Sequence, residues 1–404
     1  MNREEKTIIR VTTSSHGLVH LFENVTPPLI PILTGVFGTD YFHLGLVVTI
    51  FSYAFGLGSI PAGLLADRFG PRRLLMLYLF GSGIFSLCVW FADSLSAYAV
   101  IMGFLGVFCS VYHPSSNTLI SHGIREKGKA YGLNGIAGSL GVAAAPVFSA
   151  SIGVAAGWKS PHLLMGLFGI LLGIYSLSMK SKSPAGPAVS INSSETDKPL
   201  KMPYLMLTFF LLGTMSLGLT YKGILTFLPT YMGQNVHIPG IHLSPVSMGG
   251  LIATIALVSG TLGQYLAGRL VDHYPPEKLY LLVVSAATPF VFLMAMSTDA
   301  LLVVSVILYS LLYFAAQPVQ NYILSGAVPK RRQGIVFGIH FSLTFGVGST
   351  SAAVCGYLAD RFGLGAVFYA MGGCFVFAAF FLLLLAIHAG RRRTAFSFDR
   401  SVGS

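Results

Sequence analysis

The hydrophobic residues of this chain are grouped in long blocks that are separated by short polar or charged segments. Each block is long enough for a helix that crosses the hydrocarbon core of a bilayer, which takes about 20 apolar residues. A helix is the expected form because its backbone groups hydrogen-bond to one another and need no water. The pattern therefore predicts twelve transmembrane helices, which we number as spans 1 to 12. Their predicted limits are 14–36, 43–66, 73–92, 96–122, 128–156, 160–180, 203–232, 243–272, 277–297, 300–325, 333–359 and 365–389.

One polar segment divides the spans into two groups of six. Residues 181–200 read SKSPAGPAVSINSSETDKPL, a composition rich in proline, serine and charge that is typical of a flexible linker. We therefore predict three parts in the chain. They are an N-terminal six-helix bundle at 1–180, a cytoplasmic linker at 181–202, and a C-terminal six-helix bundle with a basic cytoplasmic tail at 203–404.

Composition and charge place the chain in a membrane. Of its 404 residues, 54% are hydrophobic and 10% are charged, and the mean hydropathy is +0.73; a soluble globule does not have this balance. All but three of its 25 Lys and Arg residues fall in the N-terminal tail, in the loops after even-numbered spans, or in the C-terminal tail. Because cationic loops stay in the cytoplasm, both termini are predicted to be cytoplasmic. The net charge of +11 is then a topology signal and an attraction to anionic lipid, so no nucleic-acid partner is expected.

Two short sequence repeats indicate that the halves are copies of one module. Segment 63–73 reads GLLADRFGPRR, and segment 268–272, which begins 205 positions later, reads GRLVD in matching surroundings. Segment 114–117 reads PSSN and segment 318–321 reads PVQN, and each of them is followed by a basic loop. The two halves are therefore predicted to share one architecture.

The twelve spans, the central linker and the GLLADRFGPRR loop together resemble the major facilitator superfamily of secondary transporters. The resemblance implies an all-α membrane protein with twelve transmembrane helices in two pseudo-symmetric six-helix bundles, working by alternating access. In that family the charged residues of this loop stabilise the outward-facing state. Gly63 and Gly70 allow a close approach of backbones, and Asp67 can then bind a helix N-terminus or an arginine of the other half. A role in membrane topology alone is the alternative. The gating positions that match the family are Gly63, Asp67, Arg68, Gly70, Arg72 and Asp272.

A narrower resemblance rests on spans 1, 4 and 5. His20, the sequence VYHP at 111–114 and the glycine-rich segment 135–146 are similar to fosmidomycin-resistance-type efflux proteins. The glycine-rich segment also resembles a span-5 motif of exchange and efflux members of the superfamily. The chain departs from the group at residues 23–24, which are Glu-Asn in place of Asn-Asp, and at Ser115, where a carboxylate often stands. The resemblance implies export across a bacterial cytoplasmic (inner) membrane.

Two charged residues lie in the middle of predicted spans. Of 14 carboxylates only Glu23 does so, and of 25 cations only Lys222. A charge at the bilayer centre costs at least about 2.5–3.5 kcal/mol, so such residues usually face a cavity or a partner. Aligning Pro31 with Pro229, which lie 198 positions apart, places Glu23 next to the counterpart of Lys222. Both residues are therefore predicted to face a binding cavity at the membrane midplane.

Two histidines share a helix face with Glu23. His16, His20 and Glu23 stand at i, i+4 and i+7, which aligns all three on one side of a helix. We interpret them as a proton relay in which Glu23 and His20 are the proton-coupling residues. Two alternatives stay open. The three residues could bind zinc or copper, or His16 lies at the membrane surface and His20 bonds a backbone carbonyl.

Lys222 indicates a negative partner, because a desolvated ammonium needs one. Either it pairs with Glu23 until substrate breaks the pair, or it binds an acidic substrate while Glu23 carries a proton; otherwise its long stem reaches to the membrane interface. Polar and aromatic residues of the cavity-lining spans supply the other expected contacts, unless they only cap carbonyls freed by Pro114 and Pro318. The predicted substrate-binding residues are His16, Asn24, Tyr112, His113, Asn117, Lys222, Tyr313, Gln317, Gln320, Asn321 and His340.

These observations predict a secondary active transporter, a monomer in the lipid bilayer that exports a small organic anion in exchange for protons and uses no cofactor. The alternatives are uptake or exchange of an organic anion, transition-metal transport through His16, His20 and Glu23, and a non-transporting membrane sensor. An enzyme is not expected, because the sequence contains no nucleophile elbow, phosphate-binding loop or His-Glu-x-x-His motif.

Overall fold

The structure, a computed structural model, describes residues 2–179, 202–327, 339–340 and 342–402. Within these ranges every regular element is helical. The predicted linker at 181–202 falls outside them apart from its last residue, and so does part of span 11.

The N-terminal half forms eight α-helices in its described residues, because two of its predicted spans are each broken in two. Span 1 is broken at Val25 and span 4 at Val111. Pro27 and Pro28 follow the first break and Pro114 follows the second; proline has no N–H to donate, and its ring clashes with the preceding turn. The helices are α1 (Arg3–Asn24), α2 (Thr26–Phe37), α3 (Tyr41–Phe69), α4 (Pro71–Cys88), α5 (Leu95–Ser110), α6 (Tyr112–Gly123), α7 (Lys127–Ala156) and α8 (Ser160–Ser176), and a 3-10 turn at Val89–Phe91 extends α4.

The C-terminal half is built from longer helices. Its first four are α9 (Tyr204–Asn235), α10 (Pro245–Leu270), α11 (Pro276–Met296) and α12 (Asp299–Ala327). A π-helical turn at Ser342–Gly346 and a 3-10 turn at Val347–Ser349 lead into the last two helices, which are α13 (Thr350–Phe362) and α14 (Gly365–Val402).

Nine helical segments in the described ranges are long and apolar enough to cross a membrane, with α5 and α6 counted together as one. The three other predicted spans coincide with helices that are shorter or interrupted, namely α1 with α2, α8, and the turns that lead into α13. The all-α membrane architecture is therefore confirmed. The number of twelve spans and the predicted domain limits stay predictions.

The two halves meet along a seam in which α7 packs against α10, α3 against α13, and α2 against α9. Small residues allow a close approach, since a Cβ added to Gly250 would lie 2.7 Å from the carbonyl oxygen of Pro146. Hydrogen bonds cross the same seam, and the Thr49 hydroxyl donates to the carbonyl oxygen of Ser349 at 2.9 Å. The seam thus brings together residues that lie far apart in the sequence.

A carboxylate ties the two halves together at one end of the seam. The oxygens of Asp360, in the last turn of α13, accept hydrogen bonds from the backbone N–H groups of Tyr41 (3.0 Å) and Phe42 (2.8 Å), which begin α3. A negative charge is stabilised there because a helix N-terminus carries unpaired N–H donors and a positive partial charge. The end of the molecule that holds the α2–α3 loop is therefore closed by Asp360.

The sequence around Asp360 repeats the end of α3. Segment 356–363 reads GYLADRFG and segment 63–70 reads GLLADRFG, so the two differ at one position. In both, a glycine with positive φ ends the helix, with φ of 86° at Gly70 and 83° at Gly363, a conformation that glycine adopts without steric cost. Because the end of α13 contacts the start of α3, the two similar helix ends lie at opposite ends of the molecule.

Candidate functional site

A buried ion pair joins the two halves at the seam. The ammonium of Lys222, in α9, donates a hydrogen bond to Oε1 of Glu23, near the end of α1. Glu23 is 3% exposed and Lys222 is 2% exposed, so both groups have lost their water and each compensates the charge of the other. The alignment of their prolines predicts that both residues face the midplane, and their pairing is one of the two arrangements left open for Lys222.

A series of hydrogen bonds continues from Glu23 along α1 to α7. Oε2 of Glu23 lies 2.7 Å from Nδ1 of His20, and Nε2 of His20 lies 3.2 Å from Nε2 of His16. Nδ1 of His16 lies 2.6 Å from the backbone carbonyl oxygen of Asn134. We name His16, His20 and Glu23, bonded in this order, the His–Glu chain. The i, i+4, i+7 spacing of the sequence thus produces a continuous hydrogen-bonded series.

The glycine ladder of α7, which comprises Gly135, Gly138 and Gly141, makes room for the His–Glu chain. A Cβ on Gly138 would lie 2.5 Å from Nε2 of His16, whereas a Cβ on Gly135 would meet nothing within 4 Å. A Cβ on Gly141 would collide with the backbone of α1. Glycine at 138 and 141 therefore lets α7 approach α1 closely enough for the Asn134 carbonyl to reach His16.

Two aromatic residues of α6 lie beside the His–Glu chain. The ring of His113 meets that of His16 edge to face, with centroids 5.3 Å apart, and its centroid lies 5.7 Å from that of His20. The buried hydroxyl of Tyr112 lies within hydrogen-bond distance of two acceptors, the carbonyl oxygen of Thr12 at 2.9 Å and Oδ1 of Asn134 at 3.0 Å. Tyr112 therefore links α1 to Asn134 of α7, while His113 packs against both imidazoles.

The three imidazoles of this region also bear on the metal alternative. Ligand nitrogens of His16, His20 and His113 lie within 4.8 Å of one another. The predicted ligands are His16, His20 and Glu23. In the structure Glu23 is bonded to His20 and Lys222, and His113 is the third residue of the group. The ammonium of Lys222 on Glu23 would repel a divalent cation in the same site. Metal binding by this region stays an alternative, with His113 in the place of Glu23 as the third ligand.

The surroundings of the ion pair on the C-terminal side are apolar and aromatic. Tyr221 stacks on Tyr313 with ring centroids 6.0 Å apart, and the Lys222 ammonium lies 5.6 Å from the Tyr221 ring. Asn24 donates to the carbonyl oxygen of His20 at 3.0 Å and so caps a backbone group near the break in span 1. Asn24 also lines a cavity of about 10 Å³, which has room for about one water molecule and is otherwise lined by apolar residues of both halves.

The glutamines predicted on span 10 point in different directions. Oε1 of Gln317 accepts a hydrogen bond from Gln264 at 2.5 Å, and Gln264 accepts one across the seam from Ser139 at 3.2 Å. Gln320 instead donates to the hydroxyl of Tyr280 at 2.6 Å, inside the C-terminal half. Side chains three positions apart on a helix diverge by about 60°. Gln317 is therefore connected to the seam through Gln264, whereas Gln320 points into the C-terminal half.

Three other predicted residues lie apart from the buried cluster. Asn117 and Asn321 are exposed. His340 is buried and stacks on Phe210 with centroids 5.9 Å apart, about three turns of α9 away from Lys222. Substrate contact by these residues stays a prediction.

The predicted gating residues of the α3–α4 region do not form the seam contact that the structure describes. Nη2 of Arg72 donates to the carbonyl oxygen of Leu177 at 2.9 Å, a contact within the N-terminal half. The side chain of Asp67 lies outside the described part of the structure. Gating by these residues stays a prediction. The remaining members of the set are half-buried or exposed: Gly63, Arg68, Gly70 and Asp272.

Two residues that shape the seam and the site are absent from the predicted set. Asn134 acts through its backbone carbonyl, which no side-chain pattern reveals. Asp360 has a sequence signal, because segment 356–363 repeats the GLLADRFG of segment 63–70. Segment 356–363 is more similar to segment 63–70 than segment 268–272 is, so a search for repeats would have identified Asp360.

Comparison with known proteins gives several relatives of similar sequence. The probable sulfoacetate transporter SauU of Cupriavidus necator is 25% identical, over 82% of this chain and 82% of its own length. The multi-drug resistance efflux pump PmrA of Streptococcus pneumoniae is 24% identical, over 94% of this chain and 96% of its own. The probable L-galactonate transporter of Escherichia coli is 27% identical, but the match spans only 34% of this chain and 31% of that protein.

A solved structure and a family model agree with these relatives. The structure of a bacterial homolog of the human lysosomal transporter Spinster, inward-facing and unoccupied, superimposes with a TM-score of 0.78 at 14% identity, and the match covers 95% of this chain and 97% of that one. At this identity the similarity shows the fold alone. Residues 12–353 match the model of the Major Facilitator Superfamily. Since that match extends over most of the chain, the protein belongs to the major facilitator superfamily.

Proposed function

We propose that this protein is a proton-coupled secondary transporter that carries small organic anions across the cytoplasmic membrane by alternating access. The observation that supports the proposal is the buried pair of Lys222 and Glu23, which come from opposite halves and meet at the seam. Substrate sites of transporters built from repeats lie at the repeat interface near the membrane midplane. A substrate that enters this pair therefore lies between the two halves.

The charges of the pair favour an anionic substrate. Removing one partner of a buried ion pair costs about 3–5 kcal/mol, because the other charge is left uncompensated. A carboxylate or sulfonate of the substrate can replace Glu23 as the partner of Lys222, and this cost is then avoided. Sulfoacetate and L-galactonate, the compounds in the names of two relatives, are organic anions of this kind.

Glu23 and His20 supply the proton coupling in this proposal. Once a substrate takes the ammonium of Lys222, the Glu23 carboxylate loses its cation and keeps Nδ1 of His20 at 2.7 Å. A carboxylate without water or a cation is stable only when it is protonated or hydrogen-bonded to a cationic group. Substrate binding and proton binding are therefore linked through one carboxylate.

Counterflow by the purified protein in proteoliposomes tests the proposal. We expect exchange of sulfoacetate or L-galactonate, and we expect Lys222→Gln to abolish it, because glutamine keeps a hydrogen-bond donor but has no charge. Lys159→Gln is the matched control. Lys159 lies outside the site, where its ammonium donates to the carbonyl oxygen of Trp90 at 2.7 Å, so this variant should exchange at the wild-type rate. Unchanged exchange by Lys222→Gln would contradict the proposal.

Export in exchange for protons is the second candidate, and it is the mode that the sequence predicts. The glycine ladder of α7 and the likeness to the efflux pump PmrA favour it. The narrower resemblance to fosmidomycin-resistance-type proteins stays a prediction, as do the monomeric state and the cytoplasmic position of both termini. Flux measured under pH gradients of opposite direction separates the two modes.

A further inference from the structure

The hydrogen bonds of the His–Glu chain determine how many protons it holds when all of them are formed. The chain contains three hydrogen bonds, from His16 to the Asn134 carbonyl, from His16 to His20, and from His20 to Glu23. Each of them needs one proton. A neutral imidazole carries one proton on nitrogen, and an ionised carboxylate carries none. Two neutral histidines and an ionised Glu23 supply two protons for three bonds, so all three bonds form together only when the chain holds one proton more.

The extra proton can occupy three positions without breaking any of the three hydrogen bonds. The Asn134 carbonyl only accepts, so Nδ1 of His16 always carries a proton. The extra proton then makes a cation of His16 or of His20, or it sits on Oε2 of Glu23. In each case all three hydrogen bonds persist, and the proton moves between positions by transfer along them.

The charge of the whole cluster follows from this count. With its extra proton the His–Glu chain is neutral, and the ammonium of Lys222 adds one positive charge. The titratable groups that face the cluster are neutral in their ordinary forms. They are Tyr221 from α9, Tyr112 and His113 from α6, and Cys109 from α5. A buried site with one net positive charge is complementary to a monovalent anion.

We propose that the His–Glu chain binds one proton and that this proton and the substrate anion strengthen each other's binding, so that both are carried in the same direction. This inference rests on the proposed function, in which Lys222 is the partner of the anion. Without the extra proton the cluster has no net charge, and the anion would meet the ionised Glu23 beside Lys222. Because linkage is reciprocal, an anion that prefers the protonated chain increases its proton affinity by the same factor.

The proton transfer in this step is simple. When the anion takes the ammonium of Lys222, the proton on Nδ1 of His20 moves to Oε2 of Glu23, and His20 returns to its neutral form. The N–H bond of His20 breaks and the O–H bond of Glu23 forms, and no other covalent bond changes. Exchange of an anion for protons would require the opposite linkage, in which the anion expels the proton.

Proton uptake on binding tests the sign of this linkage. L-galactonate is added to the purified protein in weakly buffered detergent solution, and binding is followed by thermal shift while the pH is recorded. We expect binding with uptake of up to one proton per molecule, and loss of that uptake in Glu23→Gln. His43→Gln, which changes an exposed histidine outside the cluster, should take up protons as the wild type does. Binding with proton release would overturn the inference and leave the proposed function standing.

Accumulation in proteoliposomes gives a second measurement. With an inward proton gradient we expect L-galactonate to accumulate about tenfold per unit of pH difference, since one proton and one monovalent anion move together without net charge. A protonophore should abolish the accumulation. Accumulation driven by the opposite gradient, or counterflow indifferent to pH, would refute co-transport alone. Failure of the wild type to bind or exchange either L-galactonate or sulfoacetate would refute the proposed function and this inference together.

Discussion

Glu23 uses its two carboxylate oxygens for different partners. Oε1 accepts a hydrogen bond from Lys222 of the opposite half, and Oε2 lies against His20 of its own helix. One side chain therefore connects the cation that would hold a substrate with the histidines that would hold a proton. A change at Glu23 and a change at Lys222 should consequently affect one another, both in stability and in transport.

We expect Glu23→Gln and Lys222→Met each to lower the thermal stability of the purified protein more than the double variant does. Each single variant leaves a buried charge uncompensated, at a cost of about 3–5 kcal/mol, whereas the double variant leaves none. Thermal unfolding in detergent is measured for the wild type, the two single variants and the double variant, and the four values give the coupling energy between Glu23 and Lys222. Asp93→Asn with Lys159→Met is the control cycle, because Asp93 is exposed and exposed pairs contribute about 0–1 kcal/mol. Equal coupling energies in the two cycles would contradict the expectation that Glu23 and Lys222 compensate each other's buried charge.

The glycine ladder allows a second test at single-residue resolution. We expect Gly138→Ala to abolish the dependence of transport on the pH gradient, because its Cβ would lie 2.5 Å from Nε2 of His16 and displace that ring from the Asn134 carbonyl. Gly135→Ala makes the same change three residues earlier, in open space. It should therefore transport like the wild type. Equal behaviour of the two variants would show that the His16 contact has no part in coupling.

The sequence predicts this site through charge and spacing, and it fails where a contact depends on the backbone. Glu23 and Lys222 stand out because few charged residues lie within apolar spans, and the prolines that follow them give their common depth. The i, i+4, i+7 spacing gives the face that His16 shares with Glu23. The Asn134 carbonyl, 118 positions from His16, has no such signal, because its place depends on how closely α7 approaches α1.

At the scale of secondary structure, α3 and α13 are related by more than their contact. Both end in the sequence LADRFG, and the acidic residue of the second copy, Asp360, accepts the first N–H groups of α3. A carboxylate at a helix N-terminus is favoured by the exposed donors and by the helix dipole. The link is therefore made of charge and hydrogen bonds, which can break and form again more readily than an interdigitated apolar contact.

We expect Asp360→Asn to open the closed end of the seam more often. Loss of hydrogen bonds to a charged group costs about 1.5–3 kcal/mol, which corresponds to a shift of about tenfold or more in the opening equilibrium. The measurement is the maleimide labelling rate of a single cysteine at Thr49, in a chain whose four natural cysteines are replaced. Asp299→Asn is the control, because Asp299 accepts from the N–H of His237 within the C-terminal half. Equal labelling of the two variants would exclude a closing role for Asp360.

Hydropathy predicts where helices occur, but it does not predict where they break. The apolar blocks coincide with helices in the described ranges because lipid leaves the backbone no partner except itself. Spans 1 and 4 are single blocks by hydropathy, yet each is divided, at Val25 and at Val111. The prolines after each break are visible in the sequence, but hydropathy averaged over a span takes no account of the N–H groups that they lack.

At the scale of the whole molecule, the described contacts between the halves begin at the end that holds Asp360 and continue to the middle of the seam. The α3–α13 side extends from Asp360 through Thr49 to Gly56, where a Cβ would lie 3.1 Å from the backbone nitrogen of Gly346. The buried pair of Glu23 and Lys222 belongs to this same seam. Because both residues of the pair are buried, separation of the halves at the closed end is a route by which water and substrate would reach them.

A disulfide across the seam tests whether that separation is required for transport. In the chain without its natural cysteines, we expect oxidation of Thr49→Cys with Ser349→Cys to stop counterflow and reduction to restore it, because Thr49 and Ser349 come from opposite halves and lie in hydrogen-bond contact. Ser86→Cys with His162→Cys is the matched control. Its residues are joined by the same type of hydrogen bond, at 2.7 Å, but both belong to the N-terminal half, so their cross-link should leave counterflow intact. Full counterflow by the cross-linked Thr49–Ser349 variant would mean that substrate reaches Lys222 without movement of α3 against α13.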